Sequence, residues 1–130
     1  MAKYVDGFVL TVPKKNVNKY KKMAKDASKA WKKFGALEYF ECMGDDLKPK
    51  SQDCGENMPQ PRLFGEMANA KPDETVWFSF IVYKSRAHRD SVNKKVMAYF
   101  AKKYVGKEDM SMPFDVKKMA YAGFKAMVEA

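Results

Sequence analysis

Histidine occurs once in this sequence, at position 88, inside the polar run Ser85-Arg86-Ala87-His88-Arg89-Asp90. An imidazole there can serve as general base, proton shuttle or axial ligand. Near a helix start it can equally be a hydrogen-bonded structural group. The second candidate is Asp6, a carboxylate in the middle of the apolar run Tyr4-Val5-Asp6-Gly7-Phe8-Val9-Leu10. A carboxylate buried in such a run needs a partner or a raised pKa, and Arg86, Arg89 or a tyrosine hydroxyl can be that partner. Asp6 is then either a base whose pKa burial has lifted or half of an ion pair that stabilises a dimer. If the protein is an enzyme, His88 and Asp6 are the expected acid and base. Arg89, Asn93 one turn after it, Tyr121 and Asp115 are the expected ligand-binding residues. Glu41 poses the same question as Asp6 more weakly, because its strand is a candidate edge. The Ser85–Asp90 run also reads as a helix cap with an Arg86–Asp90 pair at i, i+4.

Other chemistries lack their signatures. The two cysteines, Cys42 and Cys54, form no CxxC, and no His/Cys cluster with zinc-ligand spacing surrounds them. Both are expected to be free thiols, Cys42 in a strand and Cys54 in a loop, and no metal or cofactor is expected. Phosphate-loop, dinucleotide-binding and serine-nucleophile motifs are absent.

Six strands and helices must position these residues. Tyr4–Val12 is rich in strand formers and stops at Pro13. From Asn16 to Phe34, apolar residues at Val17, Tyr20, Ala24, Ala27, Trp31 and Phe34 trace one stripe of a helix, with Asn16 as expected N-cap and Gly35 as stop. Ala36–Met43 reads as a strand. Asp45–Asp73, with four of the six prolines, reads as a long excursion with one helical turn near Arg62–Met67. Thr75–Tyr83 is the strongest strand signal. Ser85 caps a helix to about Tyr104, striped by His88, Val92, Val96 and Tyr99. Met112–Asp115 reads as a loop that closes over a pocket or as a plain turn, and Met119–Met127 as the last strand. The order is β-α-β-β-α-β, one α+β domain spanning residues 1–130.

Strand residues alternate between faces. Phe8, Leu10 and Val12 share one face of the first strand, and Val5, Val9 and Thr11 the other. Val76, Phe78, Phe80 and Val82 share one face of the third strand, and Trp77, Ser79, Ile81 and Tyr83 the other. Both faces are mainly apolar, and two helices cover only one. The expected cover for the second is another copy packed sheet to sheet. The alternative is the 45–73 excursion folded over it.

Several motifs carry a resemblance. They are Tyr4-Val5-Asp6-Gly7-Phe8, Phe34-Gly35-Ala36-Leu37 with Glu41-Cys42, and Ser85–Asp90 through Asn93 to Val96-Met97. Met112-Pro113-Phe114-Asp115 follows, with Lys117, Met119, Tyr121 and Gly123-Phe124. In this order, over nearly the whole chain, they resemble the YbaA-like family, a bacterial family of unknown function in the dimeric α+β barrel superfamily. The resemblance implies a ferredoxin-like βαββαβ protomer with an antiparallel sheet, paired into a dimeric α/β barrel. Two departures stand out. Lys48–Pro61 replaces a short Asp-Gly turn, and Ala122-Gly123 replaces paired glycines. Some haem-degrading members of the superfamily pair a polar residue on the first strand, a Trp on the third and a His on the second helix. Asp6, Trp77 and His88 fall loosely in those places.

The formal net charge is +9. Most of the excess sits between Pro13 and Lys33, with nine lysines and the single acid Asp26. Arginine, which makes the bidentate contacts of nucleic-acid readers, occurs only at 62, 86 and 89. The lysines therefore read as a solvated helix face, and nucleic-acid binding through them ranks last. No apolar run approaches the roughly 20 residues that span a bilayer, and the N-terminus lacks a signal-peptide core, so no membrane partner and a cytoplasmic location are expected. The expectation is a bacterial homodimer with a small-molecule pocket between helices and sheet, cofactor-independent if it is an enzyme. The alternative is a non-catalytic binding or stress-related dimer.

Overall fold

The computed structural model describes residues 2–49, 59–106 and 111–130. Cys54 and most of the Lys48–Pro61 departure lie outside the described residues. The strands are β1 (Tyr4–Pro13), β2 (Glu38–Met43), β3 (Glu74–Tyr83) and β4 (Ala120–Lys125), and the helices are α1 (Val17–Lys33), α2 (Phe64–Met67) and α3 (Arg86–Lys103). Short 3-10 turns at Lys14–Asn16 and Val116–Lys118 precede α1 and β4. The strands make one sheet in the order β2-β3-β1-β4, antiparallel at every pairing. The chain is thus of the α+β class. Its spine is the β1–β3 ladder, which runs from Tyr4↔Tyr83 to Pro13↔Glu74.

The element ends obey local chemistry, and several differ from the sequence expectation, β4 among them, which ends at Lys125 and not Met127. Gly35 adopts φ 115°, a left-handed conformation that glycine takes without strain. The next residue then spends its amide on the helix, with Ala36 N–H donating to Trp31 O at 3.0 Å, and only Leu37 turns to the sheet. β2 accordingly begins at Glu38, not Ala36. Met119 N–H likewise closes the 3-10 turn on Val116 O, so β4 begins at Ala120. Asn16 is no side-chain cap. It belongs to a 3-10 turn, and its side-chain amide donates to Pro113 O at 3.0 Å. Ser85 does cap α3, accepting from His88 N–H at 3.1 Å.

One sheet face carries α1 and α3. Leu10, Val12, Tyr20, Ala24 and Trp77 form one buried cluster, and Ala36, Ile81, Tyr83, Val92 and Val96 a second, with Phe8 packed against both. Each large apolar side chain buried this way is worth about 1.5–3 kcal/mol. The other face is a band of phenylalanines. Phe40 stacks on Phe80 at 5.0 Å, and Phe64 of α2 stacks on Phe78 at 5.9 Å. The excursion thus covers one end of this face, yet Phe40, Phe78 and Phe124 stay 47%, 40% and 58% exposed.

Candidate functional site

Alternation along β1 puts Tyr4, Asp6 and Phe8 on the helix-covered face. The register sets Asp6 opposite Ile81 of β3 and Gly123 of β4. Asp6 is 1% exposed. From the first turn of α3, Arg89 reaches it, with Nη1 donating to Asp6 Oδ1 at 3.1 Å and to the Tyr121 hydroxyl at 2.9 Å. The guanidinium lies over the Tyr4 ring, 4.9 Å from its centroid, while Nη2 makes a 3.5 Å contact with the Tyr4 hydroxyl. Nε pairs with Asp90 at 2.9 Å without hydrogen-bond alignment. Asp90 therefore pairs with its neighbour Arg89, and the expected Arg86–Asp90 pair gives way. Gly123 makes room for this stack: a Cβ there would sit 2.5 Å from the Tyr4 hydroxyl.

Asn93, one turn along α3, is fixed by two donors. Trp31 Nε1–H and the Tyr83 hydroxyl both donate to its Oδ1, at 3.0 and 3.2 Å. Its NH2 group is left for the Asp6 carboxylate. Burial lifts the Asp6 carboxyl above its ordinary 3.8; Arg89 above all, then Asn93, Tyr83 and Tyr121, oppose the rise without cancelling it. Burial, and next the Asp6 charge, raise the Tyr121 hydroxyl. Phe8, Trp31, Ile81, Asn93, Met97 and Tyr121 line a cleft of about 290 Å³ around Asp6. This is an open-sided cleft with mainly apolar walls and one carboxyl group, which Arg89 holds through Nη1.

The structure thus brings together Asp6, Arg89, Asn93 and Tyr121. His88 does not line this cleft. Its Nδ1 accepts the Lys84 backbone N–H at 3.0 Å, so the proton sits on Nε2, which faces Gly35. Its ring packs edge-on to Tyr83, centroids 6.0 Å apart. Burial, then Lys84 and Lys95, lower its pKa, which keeps the imidazole neutral. Asp115 caps the turn before β4, accepting from Lys117 N–H at 3.0 Å. Its neighbour Phe114 packs on Tyr20 at 5.6 Å, away from Asp6. Trp77 shares the helix-covered face but stands opposite Leu10 against Tyr20, so Asp6, Trp77 and His88 make no common site. Tyr4, Trp31 and Tyr83 escaped the sequence reading. Tyr4 was findable, because two-residue alternation places it beside Asp6; the other two depend on register and helix rotation. Cys42 is an exposed free thiol. No helix among the described residues is long and apolar enough to cross a membrane.

The family model DUF1428, a protein family of unknown function, matches residues 3–116. The protein called "Uncharacterized protein YbaA" in Escherichia coli strain K12 is 38% identical over 129 residues, covering 98% of this chain and 98% of that protein. The Shigella flexneri protein of the same name matches to the same extent.

Proposed function

The chain belongs to the DUF1428 family, with the bacterial YbaA proteins, and from that premise we propose that it is a homodimer that binds a small molecule and moves a proton at Asp6. One observation carries the reading: a carboxyl that is 1% exposed, with its pKa lifted, lines a cleft. Buried polar groups of this kind collect at working sites. Asp6 is suited to take a proton from a carbon or hydroxyl next to a carbonyl. Arg89 Nη2, whose contact among the described residues is the long 3.5 Å one with Tyr4, is the donor suited to meet the resulting oxyanion. Such a step needs no cofactor. His88 has a positioning part, through the ring of Tyr83, whose hydroxyl bonds Asn93.

Native mass spectrometry of protein purified without added ligand tests the reading. The wild type should carry a small-molecule adduct, and Arg89→Gln should lose it. Turnover of that compound should fall by about 10²–10⁴ in Asp6→Asn, the range a general base contributes, and only a few-fold in His88→Gln. An empty wild type that also shows no thermal shift with a metabolite library would end the proposal. A second reading, a binding dimer without catalysis, is supported by the Arg89 Nη1 contact that already engages Asp6. Turnover undetectable in the wild type, with binding unchanged in Asp6→Asn, would select it.

The dimer belongs to the same proposal. The sheet order and its antiparallel pairings support a ferredoxin-like protomer. The exposed band of Phe40, Phe78 and Phe124 supports a second copy packed sheet to sheet, because an apolar face this continuous is rare on a monomer. Light scattering at micromolar concentration should give twice the chain mass. Phe78→Glu should return the monomer mass, since it places a charge on the face that the second copy covers. A monomeric wild type would remove the barrel.

A further inference from the structure

A second carboxylate on the helix-covered face is left unused by the Asp6 site. Glu41 of β2 points under α1. Its Oε2 accepts from the Tyr20 hydroxyl at 2.8 Å and from Ser79, and its Oε1 accepts from the Tyr39 hydroxyl at 2.9 Å. Burial first, then the Glu41 charge, push both tyrosine pKa values upward, so both hydroxyls remain donors. Among the described residues no cation stands within ion-pair distance of Glu41. Beside it lies a cavity of about 150 Å³, walled by Leu10, Met23, Ala27, Phe114 and Met119. Phe8, Trp31 and Ile81 divide it from the Asp6 cleft, since they line both.

Two magnitudes fix what fits. A cavity of about this volume accepts one benzene-sized ring. A carboxylate offers about four lone-pair sites, and three on Glu41 are filled. One acceptor position therefore remains, on Oε1, in an otherwise apolar chamber. It calls for a donor, which excludes a ligand carboxylate. Glu41 and Tyr39 also floor an outer groove rimmed by Lys21, Lys22 and Lys25, whose charges disfavour a cation.

We propose that this cavity is a second ligand site, for a single aromatic ring bearing a hydroxyl, with the hydroxyl donating to Glu41. The site is independent of the Asp6 reading and stands or falls without it. Phe114, which follows the buried Pro113 in the segment before β4, forms one wall. Of the Met112–Asp115 segment, Phe114 thus lines this cavity and not the Asp6 cleft.

Calorimetric titration of the full chain with 4-methylphenol, toluene, benzoate and benzylamine tests the assignment. The phenol should bind, with toluene about ten- to a hundredfold weaker, the ratio one hydrogen bond to a charged acceptor confers. Benzoate and benzylamine should bind more weakly than the phenol. Ala27→Leu, which fills the cavity without touching a polar group, should abolish phenol binding, and Asp6→Asn should leave it unchanged. Equal affinity for toluene and the phenol overturns the proposal. So does tighter binding of either charged probe, or phenol binding that survives in a folded Ala27→Leu protein. If Ala27→Leu does not fold, nuclear Overhauser contacts from the phenol ring to the Met23 and Met119 methyls of the wild type decide, and their absence overturns it.

Discussion

Asp6 and Glu74 lie near opposite ends of the same β1–β3 ladder and on opposite faces of the sheet. Each is held by a cation from a later element, Asp6 by Arg89 at 3.1 Å and Glu74 by Lys118 at 2.7 Å. Their surroundings differ. Glu74 is wrapped in donors: Oε1 accepts from Lys118 and from the Lys71 backbone N–H at 2.8 Å, and Oε2 accepts from the Thr11 hydroxyl at 3.1 Å. The Lys118 hydrogen bond foremost holds its carboxyl below the ordinary 4.5, and burial does not reverse this. At Asp6 burial wins over Arg89 and the carboxyl rises. The lesson is that an ion pair alone does not separate a brace from a site. What separates them is which influence prevails: donors outweigh burial at Glu74, and burial beside an apolar cleft outweighs the donors at Asp6.

The largest expected effect comes from Arg89→Met. Removing one partner of a buried pair strands the other charge, at a cost of about 3–5 kcal/mol. Urea denaturation at neutral pH should show a loss of that size. The loss should shrink as pH falls, because Asp6 can take up a proton and cease to be a stranded charge. The relief should begin well above pH 3.8, the ordinary Asp value. A loss that stays constant down to that pH would make Asp6 an ordinary brace and erase the contrast with Glu74.

Next is Lys118→Met, expected to cost about 1 kcal/mol, since this pair keeps more contact with solvent and Glu74 retains two donors. The signs of the two acids differ in the wild type. Glu74 has a lowered folded pKa, so its contribution is present above pH 4.5 and is lost as pH falls through the folded value. Asp6 has a raised folded pKa, so its contribution is present below pH 3.8 and is lost as pH rises through the folded value. Melting temperatures should follow: wild type minus Glu74→Gln rises with pH, and wild type minus Asp6→Asn falls with it. Two slopes of the same sign would break the comparison.

Much of this frame was legible in the residues. Pro13, Gly35 and Ser85 end or begin their elements for reasons visible in the chain, and the alternation in β1 and β3 fixed both sheet faces. Asp6 stands out as a charge in an apolar run, and Arg89 is among the cations the sequence places to meet it. What the sequence hid depends on rotation and register. His88 shares its helix stripe with Val92 and Val96, but its ring turns back to the Lys84 N–H, a local bond that periodicity does not encode. Trp31 and Tyr83 meet at Asn93 only once α1, β3 and α3 are docked. Asp115 reads as a ligand group when Met112–Asp115 is taken as a loop over a pocket, yet it caps a 3-10 turn, as the plain-turn reading has it. Glu41 reads as a weaker copy of Asp6, while its three hydroxyl donors come from Tyr20 of α1, Ser79 of β3 and Tyr39, two residues along its own strand.

The smallest expected effect sharpens the comparison most, because it removes one donor and nothing else. Thr11 is 1% exposed, and its hydroxyl donates to Glu74 Oε2. Thr11→Val keeps the branched shape that a strand favours and deletes that donor. Lys118 and Lys71 still hold Oε1, so the cost should be about 0.5–1 kcal/mol, the net worth of one hydrogen bond. The Glu74 carboxyl should move part of the way back toward 4.5, because Thr11 is one of several causes of its lowering and not the first. Carbon-detected NMR titration of the Glu74 side chain reads this directly. If the variant instead lifts Glu74 above 4.5, burial governs both acids and donor saturation is not what distinguishes them. If Glu74 shifts only part of the way while Asp6 does not shift at all, the two ends of the ladder titrate as separate sites, and the raised carboxyl belongs to the cleft alone.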